Sequence, residues 1–299
     1  MSIPVPMPDP ERYIKDAPPR VFDVHVHFPG GGPGGGASRS PEAMVDMLAY
    51  TAGVLNIRKI CLLGRPGEGN IQALQARERY PDLFLPMAWV QLDEDSGETI
   101  REFARQGFVG LKFHSSKRDY DDESYYPIYQ AAEEAKLVCL FHTGIAGGMI
   151  DYLQYPPRGP RPESPREQEM KDRRRGSTYG AKHLRPALLD TLAVAFPDLQ
   201  IIGAHLGYGW YDEACAIARW RGNVSFDISG GTVVRRHIVE RRLIRSEIHP
   251  AKLLFGSDCG IPHMSRELTG WMEEFARMGL TAEEQDQIFY GTAARIFGV

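Results

Sequence analysis

Eight short apolar runs, each followed by a stretch with helical spacing, recur from one end of the chain to the other. The runs are Val21–His27, Arg58–Leu63, Leu83–Val90, Val109–Phe113, Leu137–His142, Leu199–Ala204, Val224–Ile228 and LLFGS ending at Ser257. A first helix is predicted at 41–52, with Ser40 as its cap and Pro41 at its first position. Others are predicted at 69–79, 98–105, 125–136, 183–196, 211–220, 233–246, 265–278 and 282–290. Strands separated by helices make parallel sheets, which leaves two architectures: a closed (β/α)8 TIM barrel or an open doubly wound sheet.

The unusual polar residues separate the two. They fall where the runs end: His25 and His27 on the first, Lys112 and His114 on the fourth, His142 on the fifth, His205 on the sixth and Asp258 after the eighth. In a barrel all these ends surround one mouth, whereas in an open sheet the first and eighth strands could not both reach the fifth. A single barrel domain over 1–299 is therefore expected, with an N-terminal arm at 1–20 and a long insertion after strand five at 143–182. Within VFDVHVH a period of two is expected to set Asp23, His25 and His27 on one face, against Phe22, Val24 and Val26 on the other. Two imidazoles on one strand begin a metal site, and three with a carboxylate suit a borderline divalent ion such as zinc.

Composition narrows the function. With 299 residues and a formal charge of -4, the chain has no overall basic excess, so no nucleic-acid partner is expected. No apolar run is long enough for a membrane span, and MSIPVPMPDPERYIKDAPPR lacks the apolar region of a secretory signal. It reads as a proline-stiffened arm lying over the domain. Cys61 and Cys139 sit inside apolar runs, and the four cysteines have no paired spacing, which points to free thiols and a cytoplasmic setting. The glycine-rich stretch 30–41 matches no phosphate-binding pattern. The insertion carries Arg158, Arg161, Arg166 and Arg173–Arg175 among its prolines, and is expected to cover the mouth or an oligomer interface and to favour an anionic small-molecule substrate.

Taken in order, DVHVH at 23–27, GLK at 110–112, FHTG at 141–144, AHLG at 204–207, FGSD at 255–258 and GTAARIFG at 291–298 resemble the amidohydrolase superfamily. The resemblance is to the branch that includes aminocarboxymuconate-semialdehyde decarboxylase and resorcylate decarboxylase. Thr292 stands where that branch usually has Asn. The resemblance implies metal ligation by His25, His27, His142 and Asp258, with His205 beside the metal, and a homodimer. One ion is preferred to two. A carboxylated Lys112 would admit a second ion, with His205 on it.

The expected catalytic residues are Asp258, His205 and Lys112. Asp258 would take a proton from a metal-activated water, and His205 would bond the substrate carbonyl oxygen or stabilise its developing charge. The preferred reaction is hydrolysis of a small carboxylated ester, lactone or amide, and the alternative is non-oxidative decarboxylation of an aromatic or muconate-like acid. A barrel using its histidines only for packing would not need the whole ligand set. Lys112 could instead pair with Asp23 or with nearby Glu residues, and His114 could line the pocket or make a structural hydrogen bond. Asp227 is expected to face the interior or fix the mouth, and His263 to stand at its rim. His183, His237 and His249 are given no role.

Overall fold

The computed structural model describes residues 19–28, 40–114, 116–146 and 180–299. Most of the N-terminal arm, the glycine-rich stretch and the arginines expected over the mouth (Arg158, Arg161, Arg166 and Arg173–Arg175) lie outside the described residues. Eight parallel strands stand in sequence order: β1 (Val21–His27), β2 (Ile57–Leu63), β3 (Phe84–Trp89), β4 (Gly110–Phe113), β5 (Val138–Phe141), β6 (Ile201–Gly203), β7 (Val224–Asp227) and β8 (Leu253–Leu254). Two backbone bonds stitch the first strand to the segment after the last: Val24 N–H to the Phe255 carbonyl at 3.0 Å and Asp258 N–H to the His25 carbonyl at 2.8 Å. These bring the two ends of the sheet together, and the barrel rather than the open sheet is the fold.

Helices cover the outside: α1 (Pro41–Val54), α2 (Glu68–Arg79), α3 (Gly97–Gln106), α4 (Tyr126–Glu134), α5 (Ala187–Ala195), α6 (Tyr211–Trp220), α7 (Gly231–Glu240), α8 (Met264–Arg277), α9 (Ala282–Asp286) and α10 (Thr292–Phe297). The Ser40 hydroxyl accepts from Ala43 N–H, as its place before Pro41 leads one to expect. The long basic helix expected at 233–246 stops at Glu240. Arg242 and Arg245 take φ of 52° and 76° just beyond it, a left-handed backbone that no α-helix continues through. The helix expected at 282–290 is α9 with a π-turn at Gln287–Gly291, and α10 follows as an element of its own. Among the described residues no helix is long and apolar enough to cross a membrane. All four cysteines are free, with Cys61, Cys139 and Cys215 buried.

The first strand departs from the expected alternation. Asp23 pairs with Ile60 and Val26 with Leu62, so Val24 and His25 together oppose the single residue Cys61. That is a β-bulge, and one extra residue reverses which side chains face inward beyond it. Phe22 and Val24 therefore point to the barrel centre, while Val26 packs outward against the helices. His27 pairs with Leu63, another central residue, and Asp23 is out of phase with it. The expected shared face of Asp23, His25 and His27 is thus corrected by the bulge.

The central cluster joins Phe22, Val24, Cys61, Met87, Leu140 and Ile202, which come from five different strands and can only meet inside the barrel. Ala293, Tyr290 and Phe297 join it from the C-terminal segment, with the Phe22 ring 5.4 Å from Phe297 and 6.1 Å from Tyr290. Substituting Phe22 by Ala should therefore lower stability by about 3–5 kcal/mol. Urea unfolding should show this as a lower midpoint with an unchanged slope; a midpoint unchanged from wild type would contradict the placement of Phe22 at the barrel centre.

Candidate metal centre

The side chains expected at the mouth arrive there. His25, His205 and Asp258 form a group in which one ligand atom from each lies within 4.8 Å of the others. His27 Nε2 is 3.4 Å from Asp258 Oδ1 and His25 Nε2 is 3.6 Å from it. His142 Nδ1 lies 3.3 Å from His205 Nε2, and Lys112 Nζ lies 3.4 Å from His25 Nε2. Lys112 does not sit on Asp23, the pairing weighed from the sequence. Asp23 Oδ1 instead accepts from the backbone N–H groups of His25 and Ser257, and burial pushes its carboxyl up to about 6. His27 and Asp258 are the two with a substantial exposed fraction, 29% and 26%, so the cluster has one side open to solvent.

Two of these residues stand on unusual backbone. The sixth strand, expected to run to Ala204, ends at Gly203, and His205 lies in a turn with φ of 60°. Asp258 has φ of 43°. Non-glycine residues hold such conformations where their surroundings over-determine them. Here His205 N–H is tied to Asp227 Oδ1 at 2.9 Å and Asp258 N–H to the His25 carbonyl. Ala204, His205 and Leu206 then lead into Gly207, where φ is 63° and an added Cβ would lie 2.5 Å from Pro186.

Asp227, at the end of β7, fixes the mouth. It has no exposed surface and accepts from His25 Nδ1 at 2.8 Å, His205 N–H at 2.9 Å, Ser229 N–H at 3.0 Å and Ser229 Oγ at 2.5 Å. Burial alone would raise its pKa, but His25, His205 and these donors hold it well below the usual carboxylate range. Ser229 was not among the residues expected at the site. A serine two positions beyond a strand carries no motif, and only the turn shows that it reaches back to Asp227.

Electrostatics prepares these groups for an ion. Burial keeps His27 and His142 neutral, and lowers His205 to about 4 and His114 to about 3. It also lowers Lys112 to about 8. Burial opposes the ionisation of Asp258, yet the neighbouring His25, His205, His27 and Lys112 bring its pKa below the ordinary value. Neutral imidazoles beside an ionised carboxylate are the protonation states that metal ligation needs. His27 Nε2, His25 Nε2 and His205 Nε2 stand 3.4, 3.6 and 4.0 Å from the Asp258 carboxylate, a set of imidazole nitrogens and carboxylate oxygens converging on one point. The residues present therefore fit a divalent cation.

The other histidines lie around this group. His114 stacks on Trp89 at 5.5 Å and lies 4.6 Å from His142, forming part of the wall of the mouth. His263 is exposed in the turn Ile261–His263. His183 bonds Asp119, His237 stacks on Tyr211, and His249 accepts from Ala251 N–H.

Residues 22–299 match the amidohydrolase family model. The chain belongs to that family. No curated protein matches it. Among solved structures it is similar to a probable 2-pyrone-4,6-dicarboxylic acid hydrolase from Acinetobacter baumannii, with citric acid bound, at 15% identity and a TM-score of 0.61 over 94% of this chain and 100% of that one. It is similar to 5-carboxyvanillate decarboxylase from Sphingomonas paucimobilis at 14% identity and 0.57, over 94% and 99%. The 2,6-dihydroxybenzoate decarboxylase from Rhizobium gives 17% identity and 0.58, over 94% and 99%. Such distant likenesses establish the barrel. Family membership and the buried His–His–Asp cluster together make this a metal-dependent enzyme.

The cluster has little room to shift. A Cβ added at Gly256 would lie 2.8 Å from His25 Cβ and 3.3 Å from Ser229 Cβ. Gly256→Ala should accordingly cost about 1–3 kcal/mol by overpacking, and should weaken divalent-ion binding as His25 is displaced. Calorimetric melting and an ion titration would check both effects. An unaltered affinity would show that His25 is not held against Gly256.

Proposed function

We propose that this chain hydrolyses a small carboxylated ester, lactone or amide, with a single zinc ion at the mouth of its barrel. His25, His205 and Asp258 would hold the ion, with His27 and His142 bordering it as further ligands. A divalent ion there supplies Lewis acidity, polarising a substrate oxygen and making water more acidic. Imidazole nitrogens with one carboxylate oxygen are a donor set that suits zinc.

The observation that carries the reading is Asp258. It is ionised, faces His25, His27 and His205, and keeps about a quarter of its side chain open to solvent. A carboxylate so placed can take a proton from an attacking water and return it to the leaving group. Lys112, buried 3.4 Å from His25 Nε2, supports the preference for an anionic substrate by setting a cation beside the cluster. The similar Acinetobacter protein has citric acid, a carboxylated molecule, bound, which supports a carboxylated substrate here.

Decarboxylation is the second reading, favoured by the likeness to the two decarboxylases. It stands second because Asp258 and Lys112 beside the imidazoles supply the proton acceptor and cation of a hydrolytic site. A homodimer, a cytoplasmic setting and the absence of a nucleic-acid partner complete the proposal, the first from family resemblance and the others from composition.

Lactones, esters and amides should be screened beside aromatic and muconate-like carboxylic acids, following acid release and carbon dioxide separately. Hydrolysis that is lost on chelation and restored by zinc is expected. Asp258→Asn should lower turnover by about a thousandfold, the scale of a missing general base. Carbon dioxide released in step with substrate loss, with no lactone, ester or amide cleaved, would select the decarboxylase instead.

A further inference from the structure

We propose that Ser229 is a positioning residue that holds His205 in its Nδ1–H tautomer and so presents the bare Nε2 of His205 to the cluster. The proposal rests on reading that cluster as a metal centre, but the wiring follows from hydrogen bonding alone. Asp227 accepts from four donors: His25 Nδ1, His205 N–H, Ser229 N–H and Ser229 Oγ. A neutral carboxylic acid would have to give up one of those positions to its own proton, so Asp227 is ionised.

A hydroxyl owns one proton. Ser229 Oγ lies 2.5 Å from Asp227 Oδ1, which has no proton to share, so the hydroxyl proton lies between them and Ser229 is the donor. Toward every other neighbour Ser229 Oγ can only accept. Of its other partners, His25 Nδ1 at 3.3 Å donates chiefly to Asp227, and His205 Nδ1, nearer at 2.8 Å, must carry the ring proton. Were Ser229 to donate to His205 instead, two oxygens would face each other at 2.5 Å with nothing between them.

His205 Nε2, left with its lone pair, faces the cluster, 3.3 Å from His142 Nδ1 and 4.0 Å from Asp258 Oδ2. His25 is set by Asp227 directly, through Nδ1 at 2.8 Å. One carboxylate, acting on His205 through one hydroxyl, thus directs the Nδ1–H of both His25 and His205 away from the cluster. For His205 this means a lone pair toward the cluster, a ligand's contribution, rather than the N–H that bonding a substrate oxygen would need. Partners that fix the tautomer of a ligating histidine are a recurring part of metal sites.

The test is nitrogen NMR of metal-free protein carrying 15N-histidine, with His205 identified by the signals missing from His205→Gln. Wild type should show a protonated Nδ1 and a bare Nε2 at His205. Ser229→Ala should lose that preference, and Ser229→Cys, which keeps a weak acceptor, should fall between. Zinc titration of Ser229→Ala should show affinity reduced by about 10–100-fold, the scale of losing such a partner, with an unchanged circular dichroism spectrum. A wild-type His205 protonated at Nε2, an unchanged tautomer in Ser229→Ala, or zinc affinity within twofold of wild type would each overturn the proposal. If Ser229→Ala does not fold, the wild-type and Ser229→Cys spectra decide. A wild type with the expected tautomer that takes up no zinc would uphold the wiring and remove the metal reading.

Discussion

The carboxylate of Asp227, wholly buried, accepts hydrogen bonds from two imidazole-bearing residues and from the turn that follows its own strand. A buried ionised group is costly unless it is fully bonded, and its donors are in turn constrained to point at it. Through His205 N–H it holds a histidine in a left-handed conformation that an isolated chain would seldom adopt. Through His25 Nδ1 it fixes a ring carried by β1, two strands away around the closed sheet. β1, β6 and β7 are not all neighbours in the sheet, so this one group ties together parts of the rim that the ladder does not.

The barrel was legible because its signals are long-range and redundant. Eight apolar runs separated by helices, with polar residues at their ends, point to one architecture even where single boundaries slip. The boundaries that slipped are those decided by local backbone. Arg242 and Arg245 break the predicted helix through positive φ, and no helix-breaking proline or glycine marks the place. The gathering of His25, His27, Lys112, His142, His205 and Asp258 was legible for the same topological reason. The phase of the first strand was not. A bulge at Val24 and His25 changes no residue type, so VFDVHVH reads as a strict alternation although the strand is not one. Ser229 was hidden differently, because its importance lies in two hydrogen bonds made across a turn.

The interior of the barrel is divided along its axis. At one end Phe22, Val24, Leu140 and Ile202 meet the C-terminal Ala293 and Phe297, a dry packing whose contribution is hydrophobic burial. At the other end, where the strands finish, the inward side chains become imidazoles, an ammonium and carboxylates. This is the usual separation of stability from chemistry in such barrels. It also explains why the polar end can carry strain. Left-handed His205 and Asp258 cost stability locally, and the apolar end supplies enough burial to offset it.

Charge makes the last link between this division and the chemistry. Lys112 is the cation that both Asp258 and Asp227 act on, so two carboxylates share one buried ammonium, itself lowered to about 8 by burial. Burial keeps His27, His142 and His205 neutral. These charges act on one another in a place where water can do little to screen them. A divalent cation among His25, His205 and Asp258 would add two positive charges beside that ammonium. On the proposed function, that added charge would favour a carboxylated substrate and leave the exposed edge of Asp258 to accept a proton.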